Sequence, residues 1–308
     1  MTFTTSLKEE ISKLDFNMVE ARWELIAFLN CVGKFKNDEI LITLENASIA
    51  RRIYKELKEI FFVNPSITIR VQKRFKVKQI YILSIKEKID FIKKSMALGN
   101  KLDLSFLVSD EEKIAFIQGA FLAVGNVSNP GTSGYHLEFI FAKEKLAKQL
   151  MHLLEKFNFS VKMIKRGYKN IVYIKAGENI SDLIKMFKAT NSLFYFEDIR
   201  IYRDHKNMVN RLNNCEIANQ EKTFKTGQKQ LENIKYLQNK NLFDLLDDNT
   251  QIVANVRLKY PELSYQELAD IISSEMDYKI GKSGVNHHFI KIAKLVKKHK
   301  ESENIKWT

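Results

Sequence analysis

The chain has 308 residues, 45% hydrophobic and 28% charged, which excludes a disordered or fibrous class and leaves room for two or three cored domains. Lys and Arg number 50 against 37 Asp and Glu, a net charge of +13, which points to a polyanionic partner, nucleic acid first. Two cysteines, Cys31 and Cys215, exclude a disulfide framework or a cysteine zinc site, and no apolar run is long enough to span a bilayer.

The opening stretch, MTFTTSLKEEISKLDF, has no apolar core of the secretory type, so a cytoplasmic protein is expected. A 3.6-residue period predicts a helix over about 18–33, and DEILITLEN predicts a strand. A helix follows in SIARRIYKELKEIFF, then alternating runs in SITIRVQK and KQIYILSI, then a helix at about 87–98.

The same order then returns. A helix is predicted over about 110–124, a strand in GYHLEFIF and a helix in KEKLAKQLMHLLEKF. Strands in FSVKMIKR and NIVYIKA precede a helix from about Ile180 to Lys188. The leading helices align as LIAFLNCVG, ending at Gly33, and IQGAFLAVG, ending at Gly125. Few side chains match, so the repeat is one of element order. It predicts a pseudo-twofold pair of α/β units whose leading helices pack along small residues and whose strands form two flanking saddle-like sheets.

After about residue 200 the strand signal stops. RDHKNMVNRLNNCEIANQEKT reads as a polar helix with Arg203, Asn207, Asn210 and Asn214 on one face, and GQKQLENIKYLQNKN as a second helix. These asparagines suit either an interdomain seam, the favoured reading, or DNA. The remainder, about 240–300, reads as small and all-helical. Ser264 and Glu267 form a capping-box pattern, with Leu268, Ile271 and Ile272 as the apolar side of the helix that starts there. A new helix begins in KSGVNHHFIKIAKLV, with Ser283 as expected N-cap and Val285, Phe289, Ile292 and Leu295 as its buried stripe.

Two helices with a short connector, the second polar at its start, make a helix-turn-helix over about 264–297, whose second helix enters the major groove. Asn286 suits adenine and Ser283 several bases, while Lys279, Lys282 and a tail with Lys297, Lys298 and Lys300 suit phosphates. The full DNA-facing set is Ser264, Gln266, Lys279, Lys282, Ser283, Gly284, Asn286, His287 and Lys291. His287 and His288 point about 100° apart on a helix, so they do not chelate one metal and read as polar or phosphate-facing. The bland alternative is a helical bundle used for protein contact.

Three stretches, GAFLAVGNVSNP followed by GYHLE, NRLNNCEIANQEKT, and KSGVNHHF, together resemble the WhiA family of bacterial DNA-binding regulators. The resemblance covers essentially the whole chain. It implies an α+β fold: two LAGLIDADG-like repeats, as in homing endonucleases, and a C-terminal helix-turn-helix. The expected division is 1–105 and 106–200 for the repeats, 201–240 for a helical linker and 241–308 for the DNA-binding domain. The implied role is in cell division, chromosome segregation and transcription, in the cytoplasm at the nucleoid, with double-stranded DNA as partner and transcription or division proteins as further candidates.

LAGLIDADG nucleases carry an acid just before the terminal glycine of each repeat helix, where it holds a catalytic metal. The matching positions here are Val32 and Val124, and Asp38, Glu39 and Glu138 fall only on later segments. The expectation is a scaffold without catalysis, metal or cofactor; a metal-dependent endonuclease and a pure protein-interaction module are the competing readings. Arg51, Arg52, Arg70, Lys73, Arg74, Lys76 and Lys78 suit either phosphates or a solvated sheet edge. Oligomeric state is left open.

Overall fold

The computed structural model describes residues 2–36, 38–72, 78–96, 102–132, 134–275 and 279–305. The chain divides into two compact units, Met1–Asp204 and His205–Thr308.

The first unit opens with α1 (Phe3–Lys13), to which the sequence reading assigns no element. Its buried residues are Phe3, Leu7 and Ile11, one stripe at four-residue spacing, and Thr2 caps it by accepting from the Thr5 amide. Repeat one follows as α2 (Met18–Val32), β1 (Lys34–Phe35), β2 (Ile40–Leu44), α3 (Ala47–Phe61), β3 (Ser66–Gln72), β4 (Lys78–Ile85) and α4 (Ile89–Ser95). Repeat two is α5 (Asp110–Val124), β5 (Gly125–Val127), β6 (Leu137–Phe141), α6 (Glu144–Lys156), β7 (Val161–Arg166), β8 (Lys169–Ile174) and α7 (Gly177–Met186). The helix starts follow the caps: Asn17 for α2, Asn46 for α3, and a full capping box of Ser109 and Glu112 for α5.

Each repeat makes a four-stranded antiparallel sheet with the same order, β1-β2-β4-β3 and β5-β6-β8-β7. Strands β2 and β6 alternate as their sequences do. Ile40, Ile42 and Leu44 of β2, and Leu137, Phe139 and Phe141 of β6, are buried under the helices. The short strands β1 and β5 are too brief to give a periodic signal, which is why they do not show in the sequence.

The leading helices α2 and α5 are buried over most of their length, and the close approach is at Gly119. A Cβ there would lie 2.1 Å from the Glu24 carbonyl oxygen, so only glycine lets the backbones meet. Gly125 has φ −76, an ordinary conformation; its constraint is steric, since a Cβ would meet the Phe121 ring at 2.2 Å.

Arg52 corrects the sequence reading. It is not on a phosphate-facing surface but buried, with Nε and Nη2 donating to Glu24 at 2.6 and 2.9 Å and Nη1 donating to the Leu14 carbonyl at 2.7 Å. Gln118 completes the Glu24 carboxylate at 2.8 Å. Glu56, also fully buried, lies 3.1 Å from Arg52 Nε, but that N–H is directed to Glu24. Burial, then the Glu24 charge, pushes the Glu56 carboxyl well above its ordinary range, which favours its neutral form. Arg51 and Arg70 are exposed, whereas Lys73, Arg74, Lys76 and the Lys78 side chain lie outside the described residues.

Residues 190–239 form a single fifty-residue helix, α8 (Thr190–Asn239), where two helices were expected. Its start is capped from α1, with Glu10 accepting from the Asn191 and Ser192 amides at 2.7 and 2.9 Å. Asn207, Asn210 and Asn214 are all exposed. Arg203, on the same face, donates to the Pro130 carbonyl at 2.7 Å.

The second unit comprises the later part of α8 with α9 (Asp248–Lys259), α10 (Tyr265–Glu275) and α11 (Lys282–Ile305). Ile234 and Leu237 from α8 join Val253, Ala254, Leu268, Ile272, Val285, Phe289 and Ile292 in one core. The last turns of the expected linker are thus part of this core.

Candidate nucleic-acid interface

The capping box at the start of α10 is present: the Ser264 amide donates to Glu267 at 2.7 Å, and the Glu267 amide to Ser264 Oγ at 3.3 Å. The Ser264 hydroxyl is therefore occupied by the cap. Gln266 is exposed and donates to Asp270 at 2.9 Å. Ser273 on α10 is tied to Ile280, just before the second helix: its Oγ accepts from the Ile280 amide and donates to its carbonyl, both at 3.2 Å.

The second helix begins one residue before the expected cap. Val285 N–H donates to the Gly281 carbonyl at 3.1 Å, and α11 starts at Lys282, so Ser283 lies inside the first turn. Its hydroxyl is exposed, as are Lys279, Lys282, Asn286 and His287. Gly284 is half-buried, with Ile280 beside it. Val285, Phe289 and Ile292 are buried as expected; Leu295 is half-buried against the same core, and its neighbour Val296 is the buried residue there.

Two expected residues have roles inside the fold. Lys291 Nζ lies 3.0 Å from Asp247 Oδ2, and this bond first, then the Thr250 amide and hydroxyl, hold the Asp247 carboxyl down at about 2. His288 is buried, its Nδ1 2.7 Å from the Thr250 hydroxyl, so it faces α9 and not a phosphate. Burial, with Lys291 nearby, lowers its pKa. Only its neighbour His287 is exposed. Sequence reasoning missed Ile290, 44% exposed one turn beyond Asn286 and His287. The signal was a branched apolar residue off the buried stripe, able to pack on a thymine methyl. The pinned buried face therefore leaves Lys282, Ser283, Asn286, His287 and Ile290 exposed along successive turns of α11.

At the other candidate locus, α2 ends at Val32 and α5 at Val124, both packed against the core. A cation meets the end of α5: Lys8 Nζ donates to the Leu122 carbonyl at 3.0 Å and lies 5.4 Å from the Phe121 ring centre. Burial lowers its pKa to about 8. Glu39 bonds the Ser84 hydroxyl, and Glu138 lies 3.3 Å from Asn126 Nδ2 and 3.4 Å from His136 Nε2. Among the described residues, no three His, Cys, Asp or Glu side chains gather where a metal ion could sit.

Three family models match successive parts of the chain. They are the WhiA N-terminal LAGLIDADG-like domain over 19–98, the WhiA LAGLIDADG-like domain over 113–206 and the WhiA C-terminal HTH domain over 209–296. Among curated proteins, the probable cell division protein WhiA of Staphylococcus aureus strain NCTC 8325 is 35% identical over 315 residues, covering 99% of each chain. Among solved structures, full-length DUF199/WhiA from Thermatoga maritima aligns over 97% of this chain and 99% of that one, with TM-score 0.57 and 22% identity. The N-terminal LAGLIDADG domain of DUF199/WhiA aligns over 60% and 90%, with TM-score 0.50 and 23% identity. The architecture is thus α+β, two LAGLIDADG-like repeats followed by a helix-turn-helix region, and, on the end-to-end 35% identity and the three successive domain matches, the chain belongs to the WhiA family.

Proposed function

We propose that this protein binds double-stranded DNA without enzymatic activity and acts in cell division as a regulator of transcription and chromosome segregation, at the nucleoid in the cytoplasm. The carrying observation is the start of α11, where Lys282, Ser283, Asn286 and His287 are exposed on a helix locked by Val285, Phe289 and Ile292. A helix 10–12 Å across fits the major groove of about 12 Å, with its first turns at the base edges. Asn286 is assigned to a base, Ile290 to a thymine methyl, and Lys279 and Lys282 to phosphates. Gln266, at the start of α10, faces the backbone. Lys291 reaches a phosphate only by leaving Asp247, and Ser264 contributes by capping α10. The reading domain is assigned to 241–308 together with the last turns of α8. The expected boundaries at 105 and 200 are kept for the repeats.

The absence of catalysis is inferred from Val32 and Val124 at the two helix ends, with Lys8 beside the end of α5 on the Leu122 carbonyl. A valine offers no oxygen ligand, and a nearby ammonium repels a divalent cation.

The test is a salt titration of affinity for the best genomic site and for a scrambled duplex. Asn286→Ala is expected to cost about 1–3 kcal/mol on the preferred site and to leave the scrambled duplex nearly unchanged. Lys282→Ala is expected to weaken both and to reduce the salt slope by about one. Unchanged affinities for both variants, with the fold intact, would remove α11 as the reader.

A further inference from the structure

We propose that the exposed stretch of α8 between Lys206 and Lys225 is a second DNA-contacting surface, with Asn207, Asn210 and Asn214 against a duplex groove and cations beside them. This rests on the DNA-binding reading above. The stretch is solvated nearly throughout: every residue from Lys206 to Lys222 is exposed. Asn207, Asn210, Arg211 and Asn214 have no hydrogen bond or ion pair with any described residue.

The composition is wrong for a helix selected only to span solvent. Asparagine is a poor helix former, because its side chain competes for the backbone. A solvated spacer is better served by alanine, lysine or glutamate. Yet this helix places amides at 207, 210 and 214, at three- and four-residue spacing, which puts them on one face. Neither a hydrogen bond to a described residue nor burial accounts for them; a partner molecule would.

Charge selects that partner. Arg211 and Lys222 lie along one side of the asparagine face, and the nearest acid on it, Glu221, is 3.6 Å from Lys225. Asparagine bonds adenine in bidentate fashion or donates to phosphate, and arginine and lysine take phosphates. The core of a protein interface is instead depleted of charge and anchored by aromatic residues, and none stands between Asn207 and Asn214. Single-stranded nucleic acid is recognised by stacking on aromatic side chains, which are likewise missing between those asparagines. From Asn207 to Lys225 the helix rises about 27 Å, enough to follow several base pairs of a groove as wide as the helix.

The test uses the full-length protein and a duplex of about forty base pairs centred on its preferred site. The triple variant Asn207→Ala, Asn210→Ala, Asn214→Ala is expected to lose at least tenfold in affinity while its thermal midpoint stays or rises, since alanine favours the helix. Asn213→Ala, on another face, is expected to leave affinity unchanged. Arg211→Ala with Lys222→Ala is expected to lower the salt slope by about two. Wild-type affinity and slope in these variants, while Asn286→Ala still weakens binding, would overturn this proposal and leave the α11 reading standing. Failure of the wild-type protein to bind any duplex would overturn both. A loss of affinity that comes with a loss of helical circular dichroism would count against a contact. Intact DNA binding with loss of a co-purified protein would reassign the surface to that protein.

Discussion

Glu56 and His288 are buried titratable residues, one in each unit, and their linkage to folding has opposite signs. Glu56 titrates near 4.5 when unfolded and well above that in the fold, because it is buried beside Glu24. Above pH 4.5 the folded state holds a proton that the unfolded chain has released, so the first unit loses stability as pH rises. Glu56→Gln keeps the neutral shape and is expected to raise the denaturation midpoint at pH 7–8 and flatten its fall from pH 5. Parallel pH profiles for variant and wild type would show that Glu56 is ionised. For His288 the folded pKa lies below 6.5, chiefly through burial. Its contribution is present above pH 6.5 and is lost as pH falls through the lowered value. Hydrogen exchange between pH 5 and 8 should therefore show protection of α9 and α11 growing with pH while that of α2 and α3 declines.

At the scale of elements, two contacts fix the architecture. The α2–α5 crossing depends on Gly119, whose missing side chain lets the Glu24 backbone approach. Any Cβ there meets a carbonyl oxygen well inside contact distance, and both partners are backbone, so neither yields without moving a helix. Gly119→Val is expected to cost 3 kcal/mol or about that, at the upper end of overpacking penalties, and to disturb the Arg52–Glu24 pair next to it. A thermal midpoint unchanged by this variant would mean that the helices are not packed as described. The second contact is the seating of α11. Val285 is fully buried, so Val285→Asp places an unpaired charge in a small core and is expected to unfold it. Circular dichroism would then show helix loss, unlike Asn286→Ala, which leaves the helix intact.

At the scale of the molecule, the stability of α8 is uneven. From Lys206 to Lys222 it buries no side chain, while before that stretch Phe196 and after it Ile234 and Leu237 are in cores. Helical stability in proteins comes mostly from packing, so this middle opens most readily. Limited proteolysis is expected to cut first within about 205–225, giving two stable fragments. First cleavage inside 20–190 would contradict that. A supercoiled-plasmid assay with magnesium or manganese is expected to give no nicking. Metal-dependent nicking that disappears on a point change in the repeats would show chemistry from carboxylates other than those at the two helix ends.

The amino-acid sequence by itself determined the order of the longer helices and strands of the two repeats, the repeated α/β unit, the capping box of α10 and most of the buried stripe of α11. These are local facts: a 3.6- or two-residue period and a cap are written in a few neighbouring residues. It also showed Val32 and Val124 where acids would be needed. Tertiary structure alone decided which polar residues turn inward. Arg52 and Arg51 are adjacent arginines, yet one is buried against Glu24 and the other solvated, because helix phase and a distant carboxylate set the difference. His287 and His288 separate in the same way, through Thr250 on another helix. The continuity of α8 and the exposure of its asparagines are likewise beyond local pattern. Asn is compatible with a seam, a turn or a groove, and local pattern does not choose among them.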